Sequence, residues 1–179
     1  MDPLILTAQI LGMTSMVITV LSMQCRSNKN FFLCQETSGI LFAVSFFMLG
    51  AWSGALMNLF GTIRPELLRR EKIAQSKWVL VLLSGLLILI SLATLLIWKE
   101  KWYLILIVAV AQSFGTFFMW TQNGKNIRLA QLGIVSPLWI AYNCLIPVPS
   151  IGGILTEIIN IISVLLALFR YRKVGFTRK

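Results

Sequence analysis

Apolar residues in this chain come in runs about as long as a bilayer is thick, separated by short polar stretches. Leu4 to Met23 is one such run, with Arg26 and Lys29 just beyond it. Val79 to Ile97 is another, framed by Lys77-Trp78 and Trp98-Lys99, the aromatic and cationic flanks of a spanning helix. Trp102 to Trp120 predicts a further span. Leu129 to Phe169 is too long for one helix and should break at Pro147-Val148-Pro149. Proline removes backbone donors, and the residue before it disfavours helix. Phe31 to Ile63 carries a single charge, Glu36, and fits either one tilted helix or a hairpin turning near Gly50-Ala51-Trp52.

Charge decides between these two. Sixteen Lys and Arg in 179 residues give a net charge of +10, yet the long apolar runs are free of them. With a hairpin there are seven spans, and fourteen of the sixteen cations fall on one side. These are Arg26, Lys29, the cluster Arg64 to Lys77, Lys125, Arg128 and the tail from Arg170 to Lys179. Only Lys99 and Lys101 fall on the other. A single helix would place cation clusters on both faces. The positive-inside rule therefore predicts an outside amino terminus and a cytoplasmic carboxyl terminus. Met1-Asp2-Pro3 offers no cationic region of the kind a cleavable signal needs, so the first run is expected to remain as a span. In a soluble chain +10 would suggest nucleic acid; here the cations flank spans and meet anionic headgroups instead.

The spans group as three, one and three. A hairpin with an uncharged outer turn occurs twice, each time preceded by one span and followed by a basic segment. Lys29-Asn30 through Leu33 and Gln35 repeats as Lys125-Asn126 through Leu129 and Gln131, at the start of the second helix of each triplet. Three spans invert a copy, and one extra helix restores the parallel orientation. The expected fold is thus an all-α membrane protein of seven transmembrane helices, arranged 3+1+3. Residues 1–76 form the first three-helix repeat, 77–99 a lipid-facing linker helix, and 100–179 the second repeat with its basic tail.

Nearly the whole chain resembles the YgjV-type bacterial inner-membrane protein family. The stretches that carry the likeness are Gly50-Ala51-Trp52-Ser53-Gly54-Ala55-Leu56-Met57-Asn58 and Pro137-Leu138-Trp139-Ile140-Ala141-Tyr142-Asn143. The tail pattern from Gly152-Gly153 through Glu157 and Ser163 to Arg170 belongs with them. The 3+1+3 order is similar to that of the SWEET and PQ-loop transporters. The family resemblance implies a multi-pass protein of the inner membrane. The wider one implies two asparagines, from the third and seventh spans, that grip a sugar, and prolines that hinge the first, second, fifth and sixth spans.

Glu157 is the one acid deep in a span, roughly 10 Å down the last helix at 1.5 Å per residue. Asn160 lies one turn deeper on the same side. Asn58 sits at a similar depth in the third span, and the duplication would set it opposite Glu157. A glutamate in place of the second asparagine leaves room for a cationic solute or a proton. Trp139 and Asn143 of the sixth span join Asn58, Glu157 and Asn160 as candidate substrate-binding residues. Trp139 and Tyr142, three apart, could line one wall, although a tyrosine near a boundary is more often an interfacial anchor, as Trp52 is. Pro137 is the candidate hinge, and the second span contains no proline to partner it.

Other chemistry is expected to be absent. With no histidine and three scattered cysteines, Cys25, Cys34 and Cys144, neither a metal site nor a Cys/His nucleophile can be assembled. Gly152-Gly153 lacks the lysine and strand of a phosphate cradle. No cofactor and no enzymatic activity are expected. The expected partners are the lipid bilayer and a small-molecule substrate, with a homodimer compatible but not required. The leading expectation is a carrier of a sugar or another small polar metabolite. Beside it stand a vitamin or nucleoside carrier similar to the nicotinamide-riboside type, and a non-transporting scaffold whose polar residues only hold helices together.

Overall fold

The computed structural model describes residues 2–22, 28–69, 76–121 and 123–174, and every element among them is helical. Cys25, Arg26, Arg70, Glu71, Lys72, Arg178 and Lys179 fall outside these residues. The helices are α1 (Pro3–Ser22), α2 (Asn28–Met48), α3 (Trp52–Arg69), α4 (Lys77–Ile97) and α5 (Trp102–Trp120). After them come α6 (Gly124–Ala130), a π-helical turn (Gln131–Val135), α7 (Ser136–Leu145) and α8 (Ile151–Val174). By length and composition, Pro3–Leu21, Lys77–Ile97 and Trp102–Trp120 can each cross a membrane, and Leu33–Met48 and Ile151–Leu166 are shorter apolar helices.

The ambiguous stretch is a hairpin. Gly50 turns it with φ 71°, a left-handed conformation that costs glycine nothing. The predicted proline break is also present, with helix ending at Leu145 and resuming at Ile151. The sixth apolar segment does not break at Pro137. α6, the π-turn and α7 form one rod about 33 Å long at 1.5 Å per residue. Proline lacks an N–H and its ring crowds the carbonyl four residues back, and the wider turn directly before it relieves both.

Neighbouring helices trace a ring. α1 packs on α2, α2 on α3, α3 on α5, α5 on α7 and α7 on α8, and α8 closes onto α1. α4 lies outside the ring against α3 and α5, and only Leu83, Leu87 and Thr94 of it are buried. The seam between α1 and α8 is set by glycines. A Cβ at Gly152 would stand 2.3 Å from the carbonyl carbon of Gly12, so the backbones touch. Gln9 clasps the same seam, donating to Pro149 O at 2.7 Å and accepting from Ile151 N at 3.1 Å. Buried hydroxyls join α1 to α2: Ser15 bonds Ser38 at 2.8 Å, and Ser45 donates to Ala8 O at 2.8 Å.

Packing is uneven along the bundle axis. The α2–α3, α4–α5 and α7–α8 turns gather at one end, with Trp52 stacked on Trp98 at 5.0 Å. Near this turn end the helices bury Phe46, Leu49, Ala55, Met57, Tyr142 and Asn143, among others. Toward the opposite end, which carries exposed Lys77 and Lys125, burial fades. On α8 no described residue after Thr156 is fully buried, and on α3 only Leu68 is after Phe60.

Candidate functional site

The sixth rod and α8 meet at the π-turn. There Gln131 Nε2 donates to Ser136 Oγ at 2.9 Å, and Ser136 Oγ donates to Glu157 Oε2 at 2.5 Å. The three side chains form a directed chain from amide to hydroxyl to carboxylate. Asn160, three residues on, lies beside the same carboxylate. Ser136 is fully buried, whereas Gln131, Glu157 and Asn160 keep partial exposure. A carboxylate has about four acceptor positions, so Ser136 and Asn160 leave capacity for a solute's donors. Single π-turns within α-helices recur at functional sites, because the extra residue turns a side chain out of its regular row. Here the side chain presented to α8 is Ser136.

The other candidates do not converge on Glu157. Asn58 is half-buried and donates to Gly54 O of its own helix at 2.8 Å. Trp139 is 8% exposed and packs edge-on against Tyr142, with ring centroids 5.6 Å apart, and against Phe46 at 6.2 Å. Asn143 is buried, donates to Trp139 O at 2.8 Å, and fills the space over Gly153, whose added Cβ would meet its Oδ1. Trp139 and Asn143 therefore belong to the closed half of the bundle. A hollow of about 240 Å³ along α4 and α5 and another of about 200 Å³ at the turn end are lined by none of the five candidates.

Tyr142 is a correction. It is fully buried rather than an interfacial anchor, and its ring lies over Gly54, where a Cβ would come within 2.6 Å of the hydroxyl oxygen. The reason lies at the start of α3. Ala51 precedes that helix and offers no capping oxygen, so its first amides need remote acceptors. Ser53 N donates to Glu100 Oε2 at 2.7 Å, and Gly54 N donates to Tyr142 Oη at 2.7 Å. Glu100 reaches α3 because Lys99 adopts a left-handed φ of 52° and reverses the chain after α4. Burial pushes the Glu100 carboxyl above its ordinary value, opposed by the hydrogen bonds from Ser53 and Tyr142. The sequence offered no sign of either cap, since both are long-range.

Arg64 is a second correction. The sequence places it in the basic cluster between spans, yet α3 runs through it to Arg69 and it turns inward onto α5. Its Nη1 donates to Gln112 Oε1 at 2.7 Å and to Thr116 Oγ1 at 3.1 Å, and its guanidinium lies 5.9 Å from the Phe60 ring centre. Gln112 is oriented in turn by its Nε2, which donates to Met57 O at 3.1 Å.

Among the described residues there is no group of three or more acids and cysteines that could hold a metal ion. No curated protein matches the chain, and neither does any solved structure. A family model described as a bacterial inner membrane protein, Imp-YgjV, matches residues 6–174. The match spans almost the whole helical bundle, and the chain belongs to the Imp-YgjV family of bacterial inner membrane proteins.

Proposed function

We propose that this chain is a seven-span carrier of a small polar solute, arranged 3+1+3, with the basic end in the cytoplasm. The spans are α1 to α5, the α6–α7 rod and α8. The solute site is the cluster of Gln131, Ser136, Glu157 and Asn160, with Asn58 across the ring on α3. The observation that carries this reading is a half-buried carboxylate within the apolar helix α8, bonded to a hydroxyl at a π-turn. An ionisable side chain is costly in hydrocarbon and marks a pathway or a partner. The burial pattern supports a site reached from the basic end: Phe46, Trp139 and Tyr142 fill the turn end, while Glu157 and Asn160 lie where packing loosens. An acceptor-rich cluster suits a donor-rich solute, a polyol or an amine. A vitamin or nucleoside carrier would need Trp139 as a stacking wall, and its burial against Phe46 disfavours that alternative.

A scaffold role draws on the same side chains, since Asn58 and Asn143 bond their own helices and Ser15, Ser38 and Ser45 bond between helices. A thermal-shift panel of sugars, nucleosides, amines and amino acids at two pH values separates the readings, with Glu157→Gln measured alongside. A solute that stabilises wild type and not the variant supports a carrier. If wild type responds to nothing and the variant merely melts earlier, the carrier reading fails and the scaffold stands.

A further inference from the structure

The Arg64 cluster lies on the wall of the ring away from Glu157, and none of the carrier chemistry above uses it. Arg64 stands twelve residues after Trp52, about 18 Å below the turn end and so, on the seven-span reading, still within a hydrocarbon core of roughly 30 Å. Long cationic side chains at such a depth normally extend toward the nearer headgroups. This one is drawn sideways instead, onto α5. Gly115 makes room for it: a Cβ there would stand 3.2 Å from Arg64 Nη1. Among the described residues the groups that meet it are neutral: the side-chain and backbone oxygens of Gln112, the Thr116 hydroxyl and the face of Phe60. Among the described residues no carboxylate pairs with it, and its Nε is buried without a hydrogen-bond partner. A guanidinium offers five donors in a planar fork that matches a carboxylate or a phosphate. Gln112 and Thr116 hold Nη1 and fix the plane of that fork, leaving its Nε without a partner. Arg64 as a whole is only partly buried, but charges drawn into a helix packing are ordinarily paired, and among the described residues no pairing charge meets this one.

We propose that Arg64, oriented by Gln112 and Thr116, is a binding site for an anionic group, a phosphate or a carboxylate. The anion comes either from a phospholipid headgroup at the basic end or from a soluble solute. The site rests on its own geometry and does not require that Glu157 bind anything. Gln112→Glu would place a carboxylate on Arg64 within the protein itself, at the cost of the bond to Met57 O, and so occupy the site internally.

The test uses the full chain purified in neutral detergent, melted with sodium phosphate or sodium citrate against sodium chloride at equal ionic strength. In parallel it is melted in phosphatidylcholine bilayers with and without one-fifth phosphatidylglycerol. Wild type should melt several degrees higher with phosphate or citrate if the ligand is a soluble anion, or with phosphatidylglycerol alone if it is a headgroup. Arg64→Gln and Gln112→Glu should each weaken that response at least tenfold in half-effective concentration. Arg64→Lys, which keeps the charge and loses the fork, should weaken it less. Glu157→Gln should leave it intact, which separates this site from the carrier reading. The proposal is overturned if no anion raises the wild-type melting point. It is overturned equally if Gln112→Glu, folded and monodisperse, responds as wild type does.

Discussion

Replacing Gly152 by alanine should open the ring at the seam between α1 and α8. The added Cβ would stand 2.3 Å from the carbonyl carbon of Gly12, 2.5 Å from its oxygen and 2.7 Å from Met13 N. Favourable carbon contacts begin near 3.5 Å, so α8 must retreat by about 1 Å. All three obstructing atoms are backbone, and no rotamer change relieves them. The retreat also stretches the Gln9 bonds to Pro149 and Ile151. Overpacking of this kind costs about 1–3 kcal/mol, and alanine in a helix returns about 0.5–1 kcal/mol over glycine. The net loss is about 1 kcal/mol, equivalent to a melting point lower by about 2–4 °C for a chain of this length. Size-exclusion profiles of detergent-solubilised protein after stepwise heating would read it. Gly85→Ala on α4 is the control, because its Cβ would meet nothing within 4 Å, and it should melt at or slightly above wild type. If Gly152→Ala melts with the control, α1 and α8 do not close on each other and the ring is wrong.

The cap on α3 gives three further expectations. Tyr142→Phe strands the buried Gly54 N–H and should cost about 1–3 kcal/mol in the same heating assay, although the ring still fills its space. Glu100 binds its proton more tightly folded than unfolded, so its contribution is full below the ordinary carboxyl value near 4.5 and is lost as pH rises through the elevated one. The melting point should therefore climb as pH falls through that interval, and Glu100→Gln should flatten the profile at its low-pH level. Lys99→Gly relieves a left-handed backbone that costs a lysine about 1–2 kcal/mol, and should raise the melting point by a few degrees.

Periodicity and charge sufficed for most of the helices. Apolar runs bounded by cations placed α1, α4 and α5, and Pro147-Val148-Pro149 marked the turn before α8. The positive charges chose a hairpin over a single helix for residues 31–63, and Gly50 turns it. What could not be read is what depends on side chains meeting across the ring. Arg64 looks like a loop cation because charge counting has no way to distinguish a guanidinium in water from one folded onto Gln112. Tyr142 looks like an anchor because its partner, the start of α3, is 88 residues away in sequence. Glu157 was visible as the lone acid of its span, but Ser136 was not, since a serine among apolar residues is common and only the π-turn aims this one. Asn58 shares a depth with Glu157, and depth alone does not supply a contact.

The most direct test of a polar site open toward the basic end, which the proposal places in the cytoplasm, is labelling of a cysteine placed at Asn160. Cys25, Cys34 and Cys144 would first be replaced by serine, and an impermeant thiol reagent applied to right-side-out and inside-out membrane vesicles. Ala55→Cys, at a fully buried position of the turn end, serves as the reference. The account predicts that Asn160→Cys is labelled only in inside-out vesicles and that Ala55→Cys is labelled in neither. Labelling of Asn160→Cys from the outside, or from neither side, would contradict it.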